Sequence, residues 1–351
     1  MTSARRPRRI NTVNLMLWLF GGGIIAIAVL GAILTLAKGR YGPENWETFI
    51  VSGIALGSVY ALLALGYTLV YGILFMINFA HGEVFMFGTF TALFAAQGLA
   101  DAGFIDSAPI PALLIVLAVA MLVSMTIAVL LERIAYRPLR NAPRLVPLIT
   151  AIGASLFLQY TARGFYGSGV RRYPEFGLFE GDIDLFGLTL RLDQVLVIVS
   201  ALALMVALYL FVEKTRTGRA MRAVSEDKDV AAMMGIDVNR VIMITFAIGG
   251  LLAGAAGILY VQLFNQVDFF IGFLPGIKAF TAAVLGGIGN IVGAMLGGLT
   301  LGILESVAPF LLLDGFGIAS PNQLKDAIAF TVLVLVLIFR PAGFLGRKDN
   351  G

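Results

Sequence analysis

The stretch "AFTAAVLGGIGNIVGAMLGG", residues 279–298, decides the predicted number of membrane crossings. Its glycines divide an apolar region into two pieces, about 276–291 and 294–313. A single crossing here would place the basic end "FRPAGFLGRK" (339–348) opposite the other basic loops, against the preference of Lys and Arg for the cytoplasmic side. A broken or re-entrant helix pair restores the parity, and such backbone is tolerated only beside protein or a water-filled cavity. The candidate break and pathway residues are Gly286, Gly287, Gly289, Asn290 and Gly293.

Composition indicates a membrane protein. Of 351 residues, 59% are hydrophobic and 13% are charged, against about 25% charged in a soluble domain. A hydrocarbon core about 30 Å thick needs about 20 apolar residues per helix, and runs of that kind recur. The sequence therefore predicts an all-α, polytopic helix bundle of about ten membrane segments. They span about 15–37, 48–73, 79–99, 110–131, 145–165, 193–212, 241–262, 276–291, 294–313 and 325–340.

Basic residues set the predicted orientation. If the N-terminal "RRPRR" is cytoplasmic, most of the 25 Lys and Arg residues fall in cytoplasmic segments, and both termini face the cytoplasm. These residues explain the net charge of +4, so no nucleic-acid partner is implied. With no cysteine and a single histidine, thiol chemistry and multi-histidine metal sites are excluded. We expect neither a cofactor nor enzymatic activity.

Residues 1–45 are expected to form a basic cytoplasmic N-terminus and an additional transmembrane helix. A basic start followed by an apolar run is also typical of a signal peptide. The run at 15–37 is longer than the roughly 7–15 apolar residues of such a peptide, which favours retention of the helix.

The loop at residues 213–240 combines basic residues with a helical pattern. We expect a cytoplasmic helix of about two turns that begins near Ser225, with Glu226 and Asp227 in its first turn, and ends at Gly235. A helix this short is marginal in water and needs a packing partner. Docking on a partner protein is favoured over packing on the chain's own membrane domain. The apolar edge consists of Val230, Met233 and Met234.

The stretch "NFAHGE", residues 78–83, places polar groups at the start of the third segment. His81 and Glu83 would point in nearly opposite directions on a helix, whereas Asn78 would share the face of His81. We expect a structural hydrogen-bond cluster, in preference to gating or coupling and, last, direct substrate contact. Glu83 is expected to meet Arg133 or Arg137.

Two further features have structural explanations. Glu305 lies in an apolar run and is expected to pair with Lys278 or Lys325 rather than to relay protons. Glycines spaced by four, such as Gly53 and Gly57 or Gly250 and Gly254, allow close helix contact, which is favoured over a role in a substrate path.

Five blocks in order resemble the inner-membrane permeases of branched-chain amino-acid ABC importers, the Liv permease family. They are "GYTLVYGILFMINFAHGE", "ERIAYRPLR", "AVSEDKDVAAMMGIDV", "AFTAAVLGGIGNIVGAMLGG" and "FRPAGFLG". The resemblance covers about 46–346, the expected permease domain, and leaves 347–351 as a cytoplasmic tail. It departs at the N-terminus, because the closer type of Liv permease usually begins near Trp46.

The resemblance implies a type II ABC importer permease in the bacterial inner membrane. Two permease subunits, usually divergent homologues, would form one pathway above two ATP-binding subunits, with a periplasmic substrate-binding protein on the other side. The chain has no Gly-Lys of a phosphate-binding loop, so partners would hydrolyse ATP. The residues at the places characteristic of the family's ATPase-coupling loop are Gly218, Arg222, Ala223, Glu226, Asp227, Ala231 and Gly235.

The same resemblance implies transport of leucine, isoleucine and valine by alternating access. Two alternatives remain at this point. A permease for urea or short amides would have a similar sequence, because selectivity in such importers lies largely in the binding protein. An ion-coupled secondary carrier would transport without ATPase subunits.

Overall fold

The computed structural model describes residues 12–346 except 141, 144, 178–180, 186–187 and 341. The basic stretch 5–9, Arg144 and the tail 347–351 therefore lie outside the described residues. Within them, nine helices are long and apolar enough to cross a membrane, and a tenth apolar helix, Phe273–Gly286, is shorter. The prediction of an all-α bundle with about ten membrane segments is confirmed.

Helices account for most of the described chain. Shorter turns of other helix types occupy Glu132–Tyr136 (π), and Arg137–Leu139, Asp314–Phe316 and Pro321–Leu324 (3₁₀). The α-helices are α1 Thr12–Lys38, α2 Pro43–Leu74, α3 His81–Asp101, α4 Phe104–Ser107, α5 Pro109–Leu131, α6 Leu145–Tyr166, α7 Leu192–Lys214, α8 Arg216–Glu226, α9 Lys228–Met233, α10 Val238–Phe264, α11 Phe273–Gly286, α12 Ile291–Leu313 and α13 Lys325–Phe339.

Two short antiparallel strand pairs lie at one end of the bundle. Strands β1 (Arg171–Arg172) and β4 (Gln266–Val267) pair with each other, as do β2 (Asp182–Leu185) and β3 (Leu188–Arg191). Because β1 follows α6 and β4 follows α10, their pairing places the ends of these two helices on the same side.

Helices α2 and α10 form the centre of the bundle. About two thirds of the most apolar stretch of α2 and 72% of that of α10 are buried, against 17% for α1 and 6% for α13. α2 contacts α7, α10, α11 and α12. The peripheral helices expose Leu, Ile, Val and Phe side chains, as expected of surfaces that face lipid.

Glycines allow the central helices to approach closely. A Cβ added at Gly57 would lie 2.9 Å from the carbonyl oxygen of Gly298, and one at Gly254 would lie 2.7 Å from the Cα of Met121. These contacts involve backbone atoms, which cannot move aside as a side chain can. The expectation that glycines spaced by four mark helix contacts is confirmed for these positions.

The glycine-rich break lies at one edge of the bundle. α11 ends at Gly286, before the predicted end at 291, and α12 begins at Ile291, before the predicted start at 294; α12 is a full-length span. Gly287 (φ +103°) and Gly289 (φ +92°) take up the turn, and the Asn290 side chain accepts a hydrogen bond from Gly293 N at 3.0 Å.

The C-terminal segment covers this turn. Phe344 N donates to Leu285 O (2.8 Å), and Leu345 N donates to Gly286 O (3.0 Å). Gly286 and Gly293 are packed directly against each other's backbone. The turn lies at the end of the bundle, and close packing accounts for its buried glycines. The role of these residues as a pathway or half-helix break stays a prediction.

Non-helical backbone enters the bundle at two other places. Residues 75–80 precede α3, and 268–272 precede α11. The second stretch meets the first turn of α3, where a Cβ on Gly272 would lie 2.7 Å from the carbonyl carbon of Gly82. His81 is the first residue of α3, so Asn78 is not on that helix and does not share the face of His81. The predicted segments 48–73 and 79–99 leave a gap at this interruption, but the second of them begins two residues before α3.

The additional helix α1 packs on α12 and the turn that follows it. The Lys38 ammonium donates to Gly315 O at 2.8 Å, and Arg40 forms an ion pair with the buried Asp314 at 2.9 Å. Near the other end, the rings of Trp18 and Phe339 lie 5.3 Å apart. These contacts support retention of the helix, which stays a prediction.

Replacing Gly298 with Val should destabilise the bundle, because the added side chain would overlap the backbone of Ala61. Overpacking a tight contact typically costs about 1–3 kcal/mol. Gly153→Val is the matched control, since no atom lies within 4 Å of a Cβ at Gly153. We expect a lower unfolding temperature in detergent for Gly298→Val only; equal temperatures for both variants would contradict the close contact of α2 and α12.

Candidate functional site

Helix α8 folds back against the end of α7. Thr215 caps it by accepting a hydrogen bond from Gly218 N at 3.0 Å. A Cβ at Gly218 would lie 2.6 Å from Phe211 O, so only glycine fits at this position. Met221 and Val224 are buried where α8 packs on α2, α7 and α10. The sequence pattern did not reveal α8, although threonine, here Thr215, is a residue type that commonly caps helices.

Arg222 fixes α8 to the end of α7. Its guanidinium donates to Val212 O and forms an ion pair with Glu213, both at 2.8 Å. The last carbonyls of a helix carry partial negative charge, so a cation is favourable there. α8 and α7 therefore form one rigid corner.

Helix α9 begins at Asp227, not at Ser225. The Asp227 carboxylate accepts hydrogen bonds from Asp229 N (2.9 Å) and Val230 N (3.0 Å). Ser225 belongs to α8 and donates to Arg222 O, which leaves it unable to cap α9. Gly235 ends the turn with φ +83°. The predicted helix is thus one of two, and it is only six residues long.

A cation joins α9 to the end of α2. Lys228 Nζ lies 5.9 Å from the centre of the Phe75 ring, within the range of a cation–π contact. Partial burial there lowers the pKa of Lys228 below its usual value, and the positive charge of Arg140 lowers it further.

The apolar edge of α9 lies exposed in the described chain. Met233 and Met234 are 78% and 79% exposed, and Val230 is 49% exposed, whereas Ala231 is buried. Among the predicted coupling residues, Gly218 and Ala231 are buried, Arg222 is partly exposed against the end of α7, and Asp227 caps α9. Ala223, Glu226 and Gly235 are exposed.

A cavity of about 560 Å³ lies between α8 and the glycine-rich turn. Its walls include Tyr71 of α2, Ser225 of α8, Gly289 of the turn and Leu345 of the C-terminal segment. The α8–α9 segment, the turn between α11 and α12 and the C-terminal segment are thus neighbours at one end of the bundle.

His81 lies within the helix bundle. Its ring meets that of Tyr67 edge-on at 4.9 Å and fills the space beside Gly66 and Gly249. Gly66 is about 12 Å from the end of α2 at about 1.5 Å per residue. Asn78 takes part in a different contact, because its side-chain oxygen accepts from Tyr136 OH at 2.6 Å. The three polar groups of "NFAHGE" therefore do not form one cluster.

Glu83 meets neutral donors. One carboxylate oxygen accepts from Gln159 Nε2 (2.8 Å) and Ser155 Oγ (3.2 Å) of α6. The expectation of Arg133 or Arg137 is wrong: Arg137 lies 3.6 Å from the buried Glu132, which also pairs with Arg140. Gln159, a lone amide in an apolar run, was the signal in the sequence for this partner.

Glu305 is the centre of a buried charged cluster. Lys278 Nζ lies 2.6 Å from one Glu305 oxygen and 2.6 Å from Asp326, and Lys325 Nζ lies 3.7 Å from Glu305. Tyr60 OH donates to the other Glu305 oxygen at 3.0 Å. The expected pairing of Glu305 with Lys278 or Lys325 is confirmed, and both lysines take part.

Replacing Lys278 with Met should strongly destabilise the bundle, because it removes the closest cation from two carboxylates. Breaking a buried ion pair typically costs about 3–5 kcal/mol. Lys325→Met is the control, since Lys325 is 35% exposed and more distant. We expect Lys278→Met to lower the unfolding temperature in detergent far more than Lys325→Met does; the reverse order would show that Lys325 is the main partner.

Comparison with known proteins gives a consistent result. The family model "Branched-chain amino acid transport system / permease component" matches residues 49–337. The high-affinity branched-chain amino acid permease protein BraD of Pseudomonas aeruginosa is 46% identical over 303 residues, 86% of this chain and 95% of BraD. LivH of Escherichia coli K12 is 42% identical over 306 residues, 85% of this chain and 94% of LivH. The chain is therefore a multi-pass membrane protein that belongs to the permease-component family of branched-chain amino acid transport systems.

Proposed function

We propose that this chain forms the translocation pathway of an ATP-driven importer for leucine, isoleucine and valine. Membership of an ABC permease family implies ATPase and substrate-binding partners. In our proposal there are two ATP-binding subunits, a second permease that is a divergent homologue, and a periplasmic binding protein. The partners hydrolyse ATP, and this chain does not.

The observation that carries this proposal is the exposed apolar edge of α9 on a rigid support. Met233 and Met234 project from a helix of six residues, too short to be stable alone. Methionine side chains suit an adaptable protein contact. Because α8 is fixed to α7 through Gly218 and Arg222, a displacement of α9 by a bound partner would be transmitted to the membrane helices.

The proposed mechanism is alternating access driven from the cytoplasmic side. Closure of the ATPase dimer moves α9, and α8 transmits the movement to α7, α2 and α10, against which it packs. Both termini and the α8–α9 segment lie on the cytoplasmic side in this proposal. The contact of Leu345 N with Gly286 O and the neighbouring cavity support placing the C-terminal segment beside α8.

Replacing Met233 and Met234 together with Glu should abolish uptake, because two charges would enter an apolar contact. Both side chains are exposed, so folding and membrane insertion should persist. Ile134→Glu is a matched control: Ile134 is 72% exposed near Arg133, which contacts Met243 in the first turns of α10. Leucine uptake in proteoliposomes, with the amount of co-purified ATPase, measures both effects. Full uptake by the double variant would remove the coupling role of α9.

The function itself is tested by purifying the tagged chain with its companions from native membranes in mild detergent. We expect ATPases, a second permease and hydrolysis stimulated by a binding protein loaded with leucine. Stimulation by urea or short amides alone would change the substrate assignment. Recovery of the chain alone, able to move solute without ATP, would establish a secondary carrier instead.

A further inference from the structure

A second cavity, of about 270 Å³, opens at the surface of the helix bundle, where Ile152 and Leu156 in its walls are 46% and 50% exposed. It lies between the beginnings of α3 and α11 and the middle of α6, with Tyr67 of α2 beside it. This volume is close to the lower limit of about 300 Å³ for small-molecule sites. Neither α8 nor α9 lines this cavity.

Glu83 lines the cavity with an incompletely paired carboxylate. Its side chain is 1% exposed. One oxygen accepts from Gln159 and Ser155, whereas the other has no hydrogen-bond partner within the described part of the chain. Burying a carboxylate without a cationic partner is costly, and acidic groups inside a membrane domain typically mark a substrate or ion route.

The environment of Glu83 differs from that of Glu305, the other glutamate discussed above. Both carboxylates are buried, but Glu305 has Lys278 on one oxygen and Tyr60 on the other. Its charge is satisfied by the protein itself. Glu83 has two neutral donors on one oxygen only, so a cation from outside the chain would complete its environment.

The remaining walls suit an aliphatic group. Ile152 and Leu156 of α6, Phe273 and Ile277 of α11, and Phe79 line the cavity. The first turn of α11 also borders it, through Gly272, Phe273 and Gly276. The positive end of a helix dipole favours an anionic group, and helices that begin inside a membrane domain can bind substrate carboxylates in this way.

The relative positions of the cavity walls are fixed. A Cβ at Gly276 would lie 3.0 Å from the Cα of Gly82, and one at Gly272 would lie 2.7 Å from the Gly82 carbonyl carbon. The beginnings of α3 and α11 are thus in backbone contact. A site built from Glu83 and the first turn of α11 is therefore preformed, which reduces the entropy that binding must overcome.

We propose that this cavity is a transient binding site for the transported amino acid. Glu83 accepts hydrogen bonds from the α-ammonium group, the first turn of α11 stabilises the α-carboxylate, and the aliphatic side chain packs on Ile152, Leu156 and Ile277. The inference rests on the proposed function and adds a selective step within the permease, after release from the binding protein. Hydrophobic α-amino acids are the ligand class.

Binding of radiolabelled L-leucine to the purified permease–ATPase complex, without binding protein, tests the site. Isoamylamine, which keeps the ammonium group, should compete, whereas 4-methylpentanoate, which lacks it, should compete much less. Glu83→Gln should weaken leucine binding about tenfold or more, because a charge-assisted hydrogen bond is lost. No saturable binding by the wild type, or stronger competition by 4-methylpentanoate than by the amine, would overturn the proposal.

A second pair of variants tests the same cavity without altering Glu83. Ile152→Trp should fill the cavity and abolish leucine binding, while Ile149→Trp, on the same helix and 67% exposed, should bind as the wild type does. Unchanged binding by both Ile152→Trp and Glu83→Gln would remove the site. Uptake by the complete wild-type system separates the two ideas: ATP-driven leucine uptake with no binding at the cavity overturns only this site, whereas no uptake overturns the proposed function.

Discussion

Close backbone approach between α2, α12, α10 and α5 is the constraint on which the structure depends. Within lipid there is little hydrophobic driving force between helices, so packing and hydrogen bonding must hold them together. Gly57 against Gly298 and Gly254 against Met121 bring the backbones into contact. Because α2 and α10 are fixed in this way, the helices around them can expose apolar side chains to lipid. The bundle can also accommodate short non-helical segments without coming apart.

Those irregular segments give the bundle its chemistry. α3 and α11 both begin against other helices, where Ala80 and Gly272 are buried, as non-helical backbone at membrane depth requires. The start of α3 brings Glu83 to the cavity, and the start of α11 brings its dipole there. In contrast, the α8–α9 segment places its apolar edge outward. The site proposed for the amino acid and the helix proposed to contact the ATPase are thus separated along the chain.

Much of the fold could be predicted from the sequence because it depends on local composition. Apolar runs predict ten segments within a few residues. A short polar pattern predicts helix α9, but its cap is Asp227 and not Ser225, two positions earlier. Glu305 and its lysines were paired correctly, since charges in an apolar protein have few available partners. The partner of Glu83 was predicted wrongly because the prediction chose an opposite charge; the amide of Gln159 in an apolar run was the available signal, and Gln159 and Ser155 are both neutral.

The sequence by itself determined that the chain crosses a membrane about ten times, which family it resembles, and where a loop helix interrupts the spans. Each of these follows from composition, periodicity or a short motif. Only the tertiary structure decided that the glycine-rich turn lies at the edge of the bundle, that α3 and α11 begin inside it, and that Glu83 keeps one oxygen unpaired. These depend on which distant backbones touch, and such contacts between α2, α3, α6 and α11 leave no periodic trace in the residues that make them.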